Sequence, residues 1–489
     1  MKPRVRPPLT ILDAIADEKL FAPWFRDTAT WAAWRAFLAA LFGLQMTPDQ
    51  LATYQQCTGR SASPVVPASE AWLVCGRRAG KSFILALVAV FIACFHDFRP
   101  YLSPGERGTV LVIATDRRQA RTIIRYIRAL LTEVPMLSRM VEHEAAESFD
   151  LSNSVTIEVG TASFRTVRGY TIVAALCDEL AFWPTDNSAE PDFEILDAIR
   201  PGMATIPGAM LLCASSPYAR RGALWTAHRE HFAKDGDPIL VWQAPTLVMN
   251  PTVPQRTIDE ATERDPASAA AEYGAQFRND IESFISREAI NACVQPGVLE
   301  RKSARMFRYT AFVDPSGGSN DAMTMAIAHK EGDTAILDVL RERKPPFSPE
   351  AVAQEFAELC RDYRITKIYG DRYAGEWPRE QFRKHGVNYE VADKSKSELF
   401  LAFLPLVNSG AVDLLNDAKL VNQFSGLERR TSRGGRDSID HRPGAHDDLA
   451  NAAAGALVNA MSGRVARSEG RPLQIEGVSR YNPITAQLY

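Results

Sequence analysis

The run Trp72-Leu73-Val74-Cys75-Gly76-Arg77-Arg78-Ala79-Gly80-Lys81-Ser82 leaves the chain little conformational choice. Residues 71–75 are apolar and short, as in a buried strand, and residues 82–95 are apolar and long, as in a buried helix. Only a tight loop with glycine at its bends joins the two. Such a loop aims backbone N–H groups and the positive end of the helix at one point, which makes it a cradle for phosphate. Gly76, Arg77, Arg78, Ala79, Gly80, Lys81 and Ser82 are the candidate nucleotide-binding residues. Lys81 would reach the β- and γ-phosphates, and the Ser82 hydroxyl would bind Mg²⁺. The loop is irregular, because Cys75 stands where the first glycine of this pattern usually does and two arginines lie inside it.

The chain has 489 residues, too many for one typical core, so two or three domains are expected. Its net charge of −3 carries no global signal for nucleic acid, although a local basic groove can hide in a neutral total. Seven cysteines are scattered without a Cys-x-x-Cys pair, which suits a reduced, intracellular protein and argues against a structural zinc site. The N-terminus is basic and proline-rich with no apolar core after it, so no secretory signal is expected. The longest apolar run, 83–95, falls short of the roughly 20 residues of a membrane span.

Residues 1–65 are tryptophan-rich with helical spacing, including a helix expected over 30–44, and residues 66–250 alternate strands and helices. Strands are expected at 109–114, 155–159, 171–177, 209–214 and 239–242. Residues 251–304 read as a helical lid or linker. A second α/β pattern fills 305–462, with three consecutive strands before alternation begins, and the tail 463–489 is polar and arginine-bearing.

The strand expected at 171–177 delivers Asp178-Glu179 at its tip, where ligands of parallel sheets bind. Asp178 would hold the Mg²⁺ shell and Glu179 would polarise the attacking water. A neighbouring strand ends in Ser215-Ser216-Pro217, hydroxyls suited to sensing the γ-phosphate. In the second half, carboxylates recur at element ends: Asp314 after 311–313, Asp371 after 367–370, and Asp447-Asp448 at a helix start. Three such sites suit two divalent ions in phosphodiester hydrolysis, with oxygen ligands favouring Mg²⁺ or Mn²⁺. Asp448 is favoured over Asp447 as a ligand, though spacing does not separate them; Glu376 is the fallback for Asp371, and Asp321 a supporting acid. Between the last two acids, five arginines and three acids fall in 427–442, with Gly434-Gly435 as a hairpin tip. A basic hairpin there would grip phosphates without reading sequence.

The order Gly-Arg-Arg-Ala-Gly-Lys-Ser, then Asp-Glu-Leu-Ala-Phe-Trp at 178–183, then Ser-Ser-Pro resembles the ATPase half of large terminase subunits, the DNA-packaging motors of tailed bacteriophages. The turn after Asp314 and the segment His446-Asp447-Asp448-Leu449 resemble the nuclease half of that family. The resemblance covers about residues 70–462 and implies an α/β chain: an ASCE-type P-loop NTPase domain with a parallel sheet, followed by an RNase H-like nuclease domain. It implies ATP and Mg²⁺, with Mn²⁺ able to substitute at the nuclease site. It also implies an arginine finger, for which Arg77 in cis and Arg168 toward a neighbouring subunit are candidates. Trp31, Trp34 and Gln45 are candidates for the adenine site, with core packing an equal reading for the tryptophans. The partners implied are double-stranded DNA, a portal protein, a small terminase subunit and further copies in a pentameric ring, without a membrane. The place implied is the host bacterial cytoplasm and transiently the procapsid portal, with the chain absent from the mature virion. A helicase-like ATPase with a non-cleaving second domain is the alternative, and a non-catalytic packaging scaffold a third reading.

Overall fold

A computed structural model describes residues 9–162, 169–183, 191–318, 321–371, 377–431, 437–442 and 445–462. The candidates Arg168 and Glu376, the hairpin tip at 432–436 and the tail at 463–489 lie outside these residues.

The first sheet has eight strands: β1 (Glu70–Cys75), β2 (Gly108–Ala114), β3 (Val141–Glu144), β4 (Ser148–Leu151), β5 (Val155–Thr161), β6 (Thr171–Asp178), β7 (Met210–Ser215) and β8 (Ile239–Ala244). Their order is β3-β4-β5-β2-β6-β7-β1-β8, with β5 through β8 in this order all parallel and β3 and β4 antiparallel at one edge. The loop-bearing β1 and the Asp-Glu strand β6 are therefore separated by one strand, β7, which is the order of ASCE-type P-loop NTPases. Strands of this kind are buried on both faces and read as unbroken apolar runs; all seven residues of β2 are buried. In β1, Ala71, Leu73 and Cys75 face a core closed by the helices Ala32–Leu41, Lys81–Phe95 and Arg117–Thr132. Trp72 and Val74 face the opposite core with the helices Pro191–Met203 and Gly222–His231. Residues of the N-terminal segment, from Ile11 to Tyr54, belong to the first of these cores.

The expected 30–44 helix is shorter, Ala32–Leu41, because Gly43 turns the chain at φ +61° and a Cβ there would lie 2.3 Å from the Val66 carbonyl carbon. The stretch 251–304 is not helical throughout. It contains β9 (Ile281–Ser283) and the helix Arg287–Ala292, and Phe284, Ile285, Ile290 and Cys293 are buried in the core of the second domain. This part of the expected linker therefore packs with the second sheet.

The second sheet comprises β10 (Tyr309–Asp314), β11 (Met323–Glu331), β12 (Thr334–Arg343), β13 (Lys367–Gly370), β14 (Asn388–Val391) and β15 (Val412–Asp413), in the order β14-β13-β10-β11-β12-β15. β10, β11 and β12 form an antiparallel meander, and β13 and β14 add in parallel beside β10. This is the RNase H-like arrangement. The helix Asp448–Ser462 lies on one face and the helix Pro349–Asp362 on the other. Ala450, Ala452, Ala453, Ala454 and Ala456 are buried in the first of these helices, which lets it sit low on the sheet. A Cβ on Gly455 would fall 2.3 Å from the Phe312 ring.

A third, antiparallel sheet joins β9 to β16 (Leu427–Thr431) and β17 (Asp437–His441), so the linker is sewn into the basic hairpin. The domains meet at Glu428. Its carboxylate is completely buried, pairs with Arg221, and accepts from the Tyr218 hydroxyl at 2.7 Å. Tyr218 and Arg221 follow the tip of β7. A cleft of about 410 Å³ beside this contact is lined in part by Trp183, Arg221, Phe277 and Arg442.

Candidate active sites

The loop after β1 owes its shape to glycine at two points. Gly80 has φ +102°. At Gly76 a Cβ would lie 2.2 Å from Thr246 Oγ1. The loop is held from outside. Trp34 Nε1 donates to the Ala79 carbonyl at 2.9 Å, Thr246 Oγ1 to the Arg77 carbonyl at 2.8 Å, and Asn250 Nδ2 to the Arg78 carbonyl at 2.7 Å. Burial pushes the Cys75 thiol up to about 12, so this residue is a packing group with no thiolate to offer.

Lys81, Ser82, Asp178, Glu179, Ser215 and Ser216 come together at the carboxyl ends of β1, β7 and β6. Lys81 is buried, and its ammonium lies 3.1 Å from Glu179 Oε1 while donating to Ser216 Oγ at 3.0 Å and to the Cys75 and Gly76 carbonyls at 3.1 and 3.2 Å. Glu179 has φ +49°, a left-handed conformation that is costly for a side-chain-bearing residue. Its Oε2 accepts from the Ser216 N–H at 3.0 Å and from Ser215 Oγ at 3.2 Å, so the tip of β7 fixes where this carboxylate points. Ser82 Oγ donates to Asp178 Oδ2 at 2.9 Å. Burial, and then the charge of Glu179, raise the Asp178 carboxyl to about 6. Its Oδ1 is buried without a partner among the described residues. A hydroxyl and a carboxylate with a spare lone pair are the oxygen donors that Mg²⁺ takes.

Gln119 also belongs to this group, and its position in the chain gave no warning of it. It sits in the first turn of the helix after β2, capped by Asp116, and its Nε2 donates to Ser82 Oγ at 2.9 Å and to Asp178 Oδ2 at 2.7 Å. The signal that could have found it is a polar side chain one turn past the tip of a strand adjacent to β6.

Arg77 lies at the rim, exposed, with Nη1 3.2 Å from Glu272 Oε1, and the Arg78 side chain is also exposed. Trp34 supports the loop from within the core, Trp31 packs against Phe25 and Phe83 with ring centroids at 4.8 and 5.5 Å, and Gln45 is exposed.

In the second domain, Asp314 ends β10, Asp371 follows β13, and Asp447 and Asp448 open the helix that packs on β10. β10 and β13 are paired, and Gly370 permits their close approach, since a Cβ there would lie 2.5 Å from the Val313 carbonyl oxygen. Asn451 Nδ2 donates to Asp314 Oδ2 at 2.9 Å and to Asp371 Oδ2 at 2.6 Å, which brings these two carboxylates to one amide. Burial, then the charge of Asp371, hold the Asp314 carboxyl well above the usual carboxylate range, and burial raises Asp371 too. Burial, then Asp447, raise Asp448 to about 6. Carboxylates this crowded want a cation, and the all-oxygen set suits a hard divalent one.

Asp447 faces a different way from Asp448. Its carboxylate lies 3.0 Å from Lys396 Nζ, which also meets Asp440 Oδ1 at 2.8 Å. Asp440, His441 and Asp447 are close enough to hold a metal, yet the Lys396 ammonium already pairs with both acids. Asp321 is exposed, and its charge acts on Asp448. Of the described hairpin arginines, Arg430 reaches Tyr218, Glu428 and the His441 carbonyl, and Arg429 lies over the Phe284 ring; both are engaged in the fold.

No family model and no curated protein matches this chain. Among solved structures it is similar to the large terminase of bacteriophage HK97 (17% identity, TM-score 0.36, 80% of this chain and 91% of that one). It is also similar to the large terminase of a thermophilic bacteriophage in complex with ADP (13%, 0.36, 82% and 96%). A third likeness is to the large terminase nuclease of another thermophilic phage, with bound magnesium (16%, 0.31, 36% and 98%). These are distant likenesses in identity and in score.

Proposed function

We propose that this chain is a large terminase subunit, which hydrolyses ATP to drive double-stranded DNA into a procapsid and cuts that DNA with its second domain. The observation that carries the reading is the meeting of Lys81, Glu179 and Ser216 across three adjacent strand tips, in a chain whose second sheet gathers Asp314 and Asp371 on one amide.

Lys81 pairs with Glu179 at 3.1 Å. Phosphate bound in the loop would compete with Glu179 and the Cys75 and Gly76 carbonyls for this ammonium. The freed carboxylate is then held by the Ser215 hydroxyl and the Ser216 N–H to orient the attacking water. Ser82 and Asp178 would hold the Mg²⁺ of the nucleotide. An arginine finger is worth roughly 10³–10⁵ in rate, and Arg77 and Arg168 are the candidates for it. In the second domain, Asp314, Asp371 and Asp448 would hold the divalent ions. When bound, such ions activate a water and stabilise the leaving oxygen of the phosphodiester. Translocation on the portal protein as a ring, delivery by a small subunit, and residence in the host cytoplasm belong to this reading.

The test is a pair of variants. Lys81→Ala abolishes ATP hydrolysis and spares cleavage of plasmid DNA in Mn²⁺; Asp314→Asn does the reverse. A wild-type chain that never nicks DNA with Mg²⁺ or Mn²⁺ removes the nuclease half of the reading. One that never turns over ATP removes the motor.

A further inference from the structure

Asn451 lies in the first turn of the helix Asp448–Ser462 and is completely buried. Its Nδ2 is shared between Asp314 and Asp371. Its other end is unusual: Oδ1 is buried and has no hydrogen-bond partner among the described residues. A buried amide oxygen without a donor forfeits on the order of 1–3 kcal/mol, and such atoms in folded proteins call for an explanation. The two ends of the amide are nearly the same size and exchange places by a half-turn about the last side-chain bond. With Nδ2 forward, the amide is a neutral donor wedged between two carboxylates that repel each other. With Oδ1 forward, the same side chain offers a third oxygen to the same spot.

We propose that Asn451 is itself a ligand of the divalent ion at this centre, through Oδ1 after the amide turns over, joining Asp314 and Asp371. A carbonyl oxygen beside carboxylates is an ordinary donor for Mg²⁺ or Mn²⁺. Turning over gives the orphaned oxygen a partner and moves Nδ2 to the position Oδ1 leaves, so the turned form is favoured only with the cation present. The helix supplies the geometry, because Asn451 is three residues from Asp448 and the two lie on neighbouring positions of one face. The inference rests on the reading of this cluster as a nuclease centre.

The test is Mn²⁺ binding to the full chain without nucleotide, followed by the paramagnetic resonance of free Mn²⁺. An Asp178→Asn background silences the carboxylate of the ATPase site. If Oδ1 is a ligand, Asn451→Leu weakens Mn²⁺ binding by about tenfold or more, and Asn451→Asp, which keeps an oxygen, binds at least as tightly as the parent. If the amide is only a donor that separates two acids, it competes with the cation. Asn451→Leu would then bind Mn²⁺ as tightly as the parent or more tightly, and the proposal is overturned. Asn451→Ala carries the same sign should the leucine variant fail to fold by circular dichroism. Asp314→Asn separates the two levels. If it leaves Mn²⁺ binding intact, the nuclease centre itself is misread; if it lowers Mn²⁺ binding while Asn451→Leu does not, only the role of Asn451 falls.

Discussion

Two residues that carry no charge shape both sites. Gln119 donates to Ser82 Oγ and Asp178 Oδ2, and so occupies lone pairs on the two oxygens that would hold Mg²⁺. A hydrogen bond to a charged group contributes about 1.5–3 kcal/mol. Gln119→Ala, which removes a donor that competes for those lone pairs, should therefore lower the Mg²⁺ concentration needed for half-maximal ATP hydrolysis by up to roughly tenfold; an unchanged or raised Mg²⁺ requirement would sink the assignment. Asp178 and Asp448, both raised to about 6 chiefly by burial, make a second prediction. The folded chain keeps protons on them that an unfolded chain releases near pH 4. Between about pH 4 and 6 the folded state binds more protons, so in metal-free buffer its stability falls as pH rises through that window and is level above it. Thermal melts at pH 5 and 7 check this: the drop should shrink in the Asp178→Asn/Asp448→Asn double variant, and added Mg²⁺ should restore more at pH 7 than at pH 5. The acids and the lysine were legible in the sequence because a charged residue at the end of an apolar run has few structural uses. Gln119 and Asn451 were not, since a neutral amide inside a helix breaks no pattern.

The strands could be read because they are unbroken apolar runs that only a doubly covered sheet accommodates, as in β2, β6 and β7. Elements at the margins could not. β3 carries Glu142, His143 and Glu144 and faces solvent, while β9 is three residues long and is a strand only because β16 pairs with it. The helix Asp448–Ser462 shows how packing delivers chemistry, since its run of small residues lets Asp448 and Asn451 approach Asp314. Gly455→Val forces methyl groups into the space of Phe312, an overpacking that costs about 1–3 kcal/mol. DNA cleavage should fall and the melting of the second domain shift down, while ATP hydrolysis stays within about twofold of wild type; equal loss of both activities would show that the helix does not act on the second site alone.

Across the whole chain, the two domains meet at a buried carboxylate that one arginine and one tyrosine hydroxyl of the other domain reach. Glu428 has no access to water, and without Arg221 it keeps only Arg430 and the Tyr218 hydroxyl, a loss of about 1.5–3 kcal/mol. Arg221→Ala should open the junction, seen as faster proteolysis between residues 250 and 285 and a larger radius in small-angle scattering; a compact, resistant variant would place the adhesion elsewhere. β9 was not legible in the sequence for the same reason, because a linker that becomes a strand in its neighbour's sheet has no composition of its own. One consequence follows from the paired amides. Had a lysine stood at 119 or 451, its fixed positive charge would fill each gap permanently and bar any other ion from it. A neutral amide bars no cation: it can step aside for one, or turn its oxygen toward it, and its N–H groups return to the carboxylates when the ion leaves. Stripping the chain of divalent ions should therefore silence both activities without unfolding it, leaving a dormant enzyme that restoring Mg²⁺ wakes.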